Sequence, residues 1–342
     1  MLLFIYHNPF LGGWLRKIYI RGVFACIGCT QRHLFFCLFR HLDTRASPQN
    51  GGDTINSFLS WIGGKKALRD EILIRFPVSY TRYIEVFGGG GWVLFHKLPG
   101  RDFEVYNDFN GLLTNLYQCV RDKPDELKSE LRYMLNSRKD FSYIKNVLHS
   151  DSELSDTKKA AFFYALVRYS YGSGAEDFAC QPHSIWNDFP LIDAASARLQ
   201  KVVVENKDFE KLITQYDRDE SFFYCDPPYY KTENYYMGGG FGRADHKRLA
   251  DTLCSIKGRF LLSYNDCEEI RELYDRPGIL IEGISRLSNL AQRYENGKEY
   301  PELFISNYDT SEFLNSCVQL SLFKNYTNQF IGERKIINDR LN

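Results

Sequence analysis

The run Phe222-Phe223-Tyr224-Cys225-Asp226-Pro227-Pro228-Tyr229-Tyr230 gathers residues that can do chemistry. An apolar run ending in a carboxylate is the pattern of a buried strand that delivers an acid to the carboxyl edge of an α/β sheet, where ligands bind. The two prolines fix the backbone after Asp226 and remove two N–H donors, which leaves carbonyl acceptors held in place. A carboxylate beside rigid carbonyls suits an amine whose lone pair is delocalised into an aromatic ring. Accepting both of its N–H groups favours a tetrahedral nitrogen that can attack an electrophilic methyl. Tyr229 adds a face for stacking on the base. Cys225 reads as buried strand packing rather than as a nucleophile.

The elements that must position these groups follow from the pattern. A strand over 83–87, four glycines, a short helix over 92–98 and a strand over 103–106 closed by Asn107-Asp108 have the order of a nucleotide-binding α/β unit. The glycine turn does not satisfy G-x-G-x-x-G, because position 93 is Val, and this counts against a nicotinamide site. An amphipathic helix is expected over 66–76, stopped by Pro77. Helical patterns dominate 109–200, best over 111–120, 124–135 and 156–171, and 172–190 reads as loop. Strand patterns return over 201–204, 221–225, 259–264, 278–282 and 302–307. Helix-rich material thus divides the α/β material into two blocks.

The chain has 342 residues, 44% of them hydrophobic and 15% aromatic, enough for a large packed core. Formal net charge is zero, with 43 basic and 43 acidic residues, so any nucleic-acid binding must use local patches. Lys231, Arg243, Lys247, Arg248, Lys257 and Arg259 against Glu233, Asp245 and Asp251 form one such patch, or an ordinary solvated helix face. Residues 1–53 differ from the rest: six Lys/Arg against two Asp/Glu, many aromatics and a turn-rich end, Ser47 to Gly52. Cys26, Cys29, His33, Cys37 and His41 invite a zinc reading, but their spacing does not match ordinary zinc fingers, and no metal is expected. Nine scattered cysteines argue for a reducing, cytoplasmic setting without a disulfide framework. No run of eighteen uncharged apolar residues is present, so no membrane span is expected. The apolar opening lacks a basic region and a small-residue cleavage site, which makes a poor signal peptide.

Taken in order, the motifs from about Ser57 to Tyr308 resemble the DNA adenine methylase family, the D12 class of adenine-N6 methyltransferases. Phe58-Leu59-Ser60-Trp61-Ile62-Gly63-Gly64-Lys65 resembles its F-L-x-W-x-G-G-K opening. Tyr83 to Gly91 resembles its glycine loop, with Val86 in place of the usual Pro and with Gly88 and Trp92 replacing commoner residues. Tyr106-Asn107-Asp108, Asp226 to Tyr229, Leu261 to Asp266 and Glu302 to Tyr308 resemble the later motifs. The resemblance implies a seven-stranded, Rossmann-like α/β methyltransferase sheet with a helical target-recognition insertion. The expected divisions are an extension over 1–56, a catalytic domain over 57–108 and 200–310, an insertion over 109–199 and a tail over 311–342.

It also implies methyl transfer from S-adenosylmethionine to adenine N6 in double-stranded DNA, on a flipped base, by a chain that is monomeric when free. Asp226, Pro227, Pro228 and Tyr229 would be catalytic. Trp61, Gly63, Lys65, Glu85, Phe87, Gly89, Gly91, Asp108, Asp208, Phe209 and Asp226 would contact the cofactor, with Asp108 on the ribose and Asp208-Phe209 beside the adenine. Lys65 would pair with the methionine carboxylate or support the catalytic acid. Arg168, Tyr171, Ser173, Lys231 and Arg243 are the DNA-contact candidates. In the insertion, Tyr164, Arg168 and Tyr171 equally fit one helix face. Gly238-Gly239-Gly240 read as a loop able to close over the base or as a plain connection. Two alternatives stay open. One is the same chemistry on another planar amine: cytosine N4, RNA or a glutamine side chain. The other is a DNA-binding module without catalysis, which would require a broken cofactor site.

Overall fold

The computed structural model describes residues 54–150, 153–233, 240–287 and 299–313, the side chains of 285–287 and 299–300 excepted, and the backbone of 17–20 and 23–26. Contacts divide the chain into Met1–Gly52 and Asp53–Asn342. In the first unit, β1 (Lys17–Ile20) and β2 (Val23–Cys26) pair antiparallel. The side chains of the zinc candidates Cys26, Cys29, His33, Cys37 and His41 lie outside the described residues, as do Gly238 and Gly239.

The second unit is built on one sheet. Its strands are β3 (Arg82–Glu85), β4 (Phe103–Asn107), β5 (Val202–Glu205), β6 (Ser221–Cys225), β7 (Arg259–Asn265), β8 (Leu280–Leu287) and β9 (Glu299–Ser306). They lie in the order β5-β4-β3-β6-β7-β9-β8. The first five are mutually parallel, and β9 runs antiparallel to both of its neighbours. All five residues of β6 are buried, as a central parallel strand covered on both faces requires. The chain builds outward from β3 through β4 to β5, then returns to β6 on the other side. That reversal opens a crevice beyond the carboxyl ends of β3 and β6, the place where such sheets bind ligands. The ladder sets Glu85 level with both Tyr106 and Tyr224, so Asp226 stands just beyond the edge.

Helices flank the sheet and fill the insertion: α1 (Arg69–Leu73), α2 (Trp92–His96), α3 (Gly111–Asp122), α4 (Pro124–Leu131), α5 (Arg138–His149), α6 (Asp156–Arg168), α7 (Phe189–Leu199), α8 (Phe209–Tyr216), α9 (Arg243–Leu253) and α10 (Glu268–Tyr274). Side-chain caps start several of them: Asn110 on α3, Ser137 on α5, Ser155 on α6 and Asp208 on α8. The continuous helix expected over 66–76 is not present. A 3-10 turn, Lys65–Ala67, leads through Leu68 into the short α1. The turn leaves the Lys65 side chain buried in the crevice, ion-paired with Asp226. Helix α4 stops at Leu131 rather than 135, and α6 at Arg168 rather than 171, where a turn with Gly172 and Ser173 at positive φ follows. Ala160 to Val167 of α6 are all buried, on every face of the helix, so α6 is the core helix of the insertion. Among the described residues, no helix is long and apolar enough to cross a membrane.

Candidate active site

The crevice is a cleft of about 920 Å³, counting space open to solvent, between the glycine turn, the end of β6 and the start of α8. Asp226 lies at its floor. Its Oδ1 meets Lys65 Nζ at 2.6 Å and accepts a hydrogen bond from Ser263 Oγ at 3.0 Å. Burial pushes the Asp226 carboxyl above its ordinary range, and Lys65 opposes that rise. Lys65 also reaches Gly63 O at 3.3 Å and stands 4.6 Å from the centre of the Tyr229 ring. Lys65 thus stands directly beside Asp226. Tyr229 donates its hydroxyl to Glu302 Oε2 at 2.9 Å. The chain after it is pinned by Asn265, which accepts from Tyr230 N at 3.0 Å and donates to Tyr230 O at 3.3 Å. Pro227 is buried and Pro228 lines the cleft.

The glycine turn is set by close approach. A Cβ on Gly88 would stand 2.2 Å from the Tyr106 ring, so only glycine fits there without displacement. Gly89 and Gly91 have φ of 49° and 62°, the left-handed region. Tyr106 and Tyr117, stacked at 3.9 Å, both donate to Gly89 O. Asp108 accepts from Gly89 N at 2.9 Å and Asn110 N at 2.8 Å. Burial raises its pKa while these N–H groups oppose the rise. Glu85 is buried, accepts the Tyr83 hydroxyl at 2.7 Å, and is pushed by burial to a pKa of about 8. Trp61 and Gly63 line the opposite wall.

Phe87 and Phe209 lie 5.7 Å apart, and Phe241 packs on both. Asp208 lines the cleft, yet both of its oxygens accept from Arg248, whose guanidinium also sits 4.1 Å from the Phe209 ring centre. Sequence reasoning passed over Phe109 and Phe241, and gave no role to Asn107, Ser263 and Glu302 although its motifs contain them. Asn107 donates to Val86 O and Lys207 O and accepts from Lys207 N, tying three strand ends together. Half-exposed Phe109 lines the cleft next to Asp108. For Phe109, an aromatic directly after Asp108 was the available signal.

The DNA-contact candidates have different settings. Arg168 makes a two-point pair with Asp188 at 2.6 and 2.9 Å, and its Nη1 donates to Ser60 Oγ at 3.2 Å. Its guanidinium is therefore engaged inside the protein. Tyr171 is 56% exposed and Ser173 sits in the positive-φ turn. Lys231 pairs with Glu269, and Arg243 donates to the Tyr230 hydroxyl. The basic patch over 231–259 is largely matched by neighbours: Lys247 by Asp251, Arg248 by Asp208, Glu210 and Asp245, and Arg259 by Glu312. Among the described residues, no group of His, Cys, Asp or Glu is placed to hold a metal ion.

Comparison with known proteins bears on the same residues. A family model described as D12 class N6 adenine-specific DNA methyltransferase matches residues 61–177 and 182–292. A Type II methyltransferase of Lactococcus lactis subsp. cremoris is 28% identical over 280 residues, 74% of this chain and 96% of its own. A DNA adenine methylase of Haemophilus influenzae is 30% identical over 243 residues, 64% of this chain and 82% of its own. A Type II methyltransferase of Methanocaldococcus jannaschii is 27% identical over 293 residues, 74% of this chain and 99% of its own. With its family motifs converging on one cleft at the switch point of the sheet, the chain belongs to the D12 class of N6 adenine-specific DNA methyltransferases.

Proposed function

We propose that the cleft binds S-adenosylmethionine and that Asp226 directs methyl transfer to the N6 amine of an adenine flipped out of double-stranded DNA. The observation that carries this reading is a largely buried carboxylate at the end of β6, followed by Pro227-Pro228 and an aromatic, the carboxylate sharing one cleft with Asp108. The lining fits the cofactor. Asp108 offers a carboxylate to ribose hydroxyls. Phe87, Phe109 and Phe209 offer faces to a purine. Asp226 and Glu302 bring negative charge to a place where a cation must react. Trp61, Gly63, Glu85 and Gly89 complete the wall, whereas Gly91 faces Tyr117 and Phe95 and does not line the cleft.

S-adenosylmethionine, when bound, supplies a methyl group on a positively charged sulfur. The chain's part is to prepare the amine. The Asp226 carboxylate and the Pro227 carbonyl accept its two N–H groups and draw the lone pair out of the ring. The rigid diproline holds that geometry before the base arrives, so little reorganisation is needed at the moment of reaction. Tyr229, tethered by Glu302, stacks on the extrahelical base, whose flipping frees the amine from pairing. Asp226 must be ionised to accept, so transfer falls as pH drops through its raised pKa. The insertion over 109–199 reads the DNA, with Tyr171, Ser173, Lys231 and Arg243 on the approach. As with the Type II relatives, a restriction–modification setting is the context proposed.

The test is incubation of the purified chain with labelled S-adenosylmethionine and unmethylated duplex DNA, followed by nucleoside analysis. Label in N6-methyladenine is expected. Label confined to N4-methylcytosine, to RNA or to protein, or no transfer by folded protein, overturns the reading.

A further inference from the structure

Two donors meet Asp226, and both choose the same oxygen. Lys65 Nζ lies 2.6 Å from Oδ1, and Ser263 Oγ lies 3.0 Å from Oδ1. Among the described residues, Oδ2 has no hydrogen-bond partner. The ladder explains how Ser263 arrives there. Cys225 of β6 is level with Leu262 of β7, so the next residue of each parallel strand, Asp226 and Ser263, stand side by side at the sheet edge. Ser263 is fully buried, and a buried hydroxyl is costly unless it is bonded. It has three neighbours: Asp226 Oδ1, the Cys225 carbonyl at 3.4 Å and the Tyr224 hydroxyl at 3.2 Å. The carboxylate is the strongest acceptor and the closest, so the serine proton goes to it. The serine oxygen then accepts from Tyr224, which is itself buried. The result is a donor chain, Tyr224 to Ser263 to Asp226.

We propose that Ser263 is a positioning residue for methyl transfer: with Lys65 it saturates Oδ1 of Asp226, which fixes the carboxylate plane and leaves Oδ2 as the acceptor for the target amine. The proposal rests on the functional reading given above. It assigns different work to the two oxygens of one carboxylate. Oδ1 is the anchored end and carries the charge-assisted bonds that hold the acid ionised in a buried site. Oδ2 keeps its lone pairs for the substrate. A carboxylate anchored on one oxygen cannot rotate to satisfy itself elsewhere, so its acceptor direction is set before the base enters.

Ser263→Ala tests it through two readouts. The first is the titration of Asp226 in the free protein, followed by carboxyl-¹³C NMR of aspartate-labelled chain, with the Asp226 resonance assigned from Asp226→Asn. The groups that face this carboxyl are Lys65, Glu85, Tyr224, Cys225, Tyr229, Tyr264 and Glu302, and none of them is altered. Loss of a donor to the ionised form should move the titration to higher pH in Ser263→Ala. The second is steady-state methyl transfer. We expect kcat to fall about 10- to 100-fold while KM for DNA and for S-adenosylmethionine stays within about twofold, with the acid limb of the kcat profile moving to higher pH. Tyr224→Phe removes only the outer donor and should shift both readouts the same way by less. An Asp226 titration unchanged in both variants overturns the proposal, as does a loss confined to KM. If Ser263→Ala does not fold, Tyr224→Phe decides by the same criteria. A wild-type chain that methylates no adenine would sink the functional reading alone, because the NMR titration still decides whether Ser263 donates to Asp226.

Discussion

The sheet edge and the segment 57–65, which packs on the helical insertion, both supply the cleft, and they are held by different means. At the sheet edge the backbone ladder does the placing. Glu85, Tyr106 and Tyr224 stand level because β3, β4 and β6 are in register, Asp108 and Asp226 follow just past the ends of β4 and β6, and Ser263 of β7 lies beside Asp226. In the insertion, side chains do the placing. Arg168 of α6 grips Asp188 and Ser60, Phe163 packs 6.1 Å from Trp61, and Tyr164 donates to Phe58 O. The segment 57–65 lies against α6, although its Trp61 and Lys65 line the same cleft as the strand ends. Position set by a ladder survives loss of one side chain. Position set by a few side chains does not.

Four substitutions sharpen that contrast. Asp226→Asn should leave the circular dichroism unchanged and lower methyl transfer by about 10³-fold, the scale for losing a preorganised electrostatic contact. A variant within tenfold of wild type would remove Asp226 from the mechanism. Glu85→Gln tests the buried acid of β3. Its folded pKa of about 8 lies above the ordinary 4.5, so its contribution is fully present below about pH 4.5 and is lost as pH rises through 8. The glutamine variant should match wild type in stability near pH 4 and exceed it at pH 9 by on the order of a few kcal/mol, read as a higher thermal midpoint at pH 9 only. Equal midpoints at pH 9 would show that Glu85 is not held neutral. Gly88→Ala puts a methyl into the Tyr106 ring and should cost about 1–3 kcal/mol in denaturant titration, with weakened cofactor binding.

Arg168→Met separates the two regions directly. As an internal strut it should weaken cofactor binding about tenfold through Ser60 and Trp61, and leave the salt dependence of DNA affinity unaltered. As a phosphate contact it would instead reduce the slope of log affinity against log salt by about one and leave cofactor binding alone. Calorimetry with S-adenosylhomocysteine and salt titrations with duplex DNA decide between them.

The sheet edge was the legible part of this sequence. Buried parallel strands are short apolar runs, and the acids that close them stand next to those runs in the chain, so 221–225 with Asp226 and 103–106 with Asp108 could be read locally. The partners of those acids could not. Ser263 and Glu302 reach the catalytic motif from strands 37 and 73 residues away, and only the ladder brings them there. A regular helix was read over 66–76 from its periodicity, whereas the chain opens there with a 3-10 turn, Lys65–Ala67, whose first residue pairs with Asp226. Arg168 read as a DNA-contact candidate or as part of one helix face, because its pairing with Asp188 leaves no trace in spacing. Helices α5 and α7 went unread because the marks that start them, Ser137 as a cap and Pro190 near the start of α7, lie in polar or loop-like sequence.

The grip of α6 on residues 57–65 bears on exchange between relatives. A target-reading insertion looks like a cassette, to be cut out at 109 and 199 and replaced to give a new recognition sequence. In this chain such a cut would take away Phe163, Tyr164 and Arg168, the residues on which Phe58, Ser60 and Trp61 rest. A graft that preserves the methyl-transfer machinery must therefore keep α6 with the recipient and swap the segment beyond it, or bring the donor's own 57–65 along with the donor's helix.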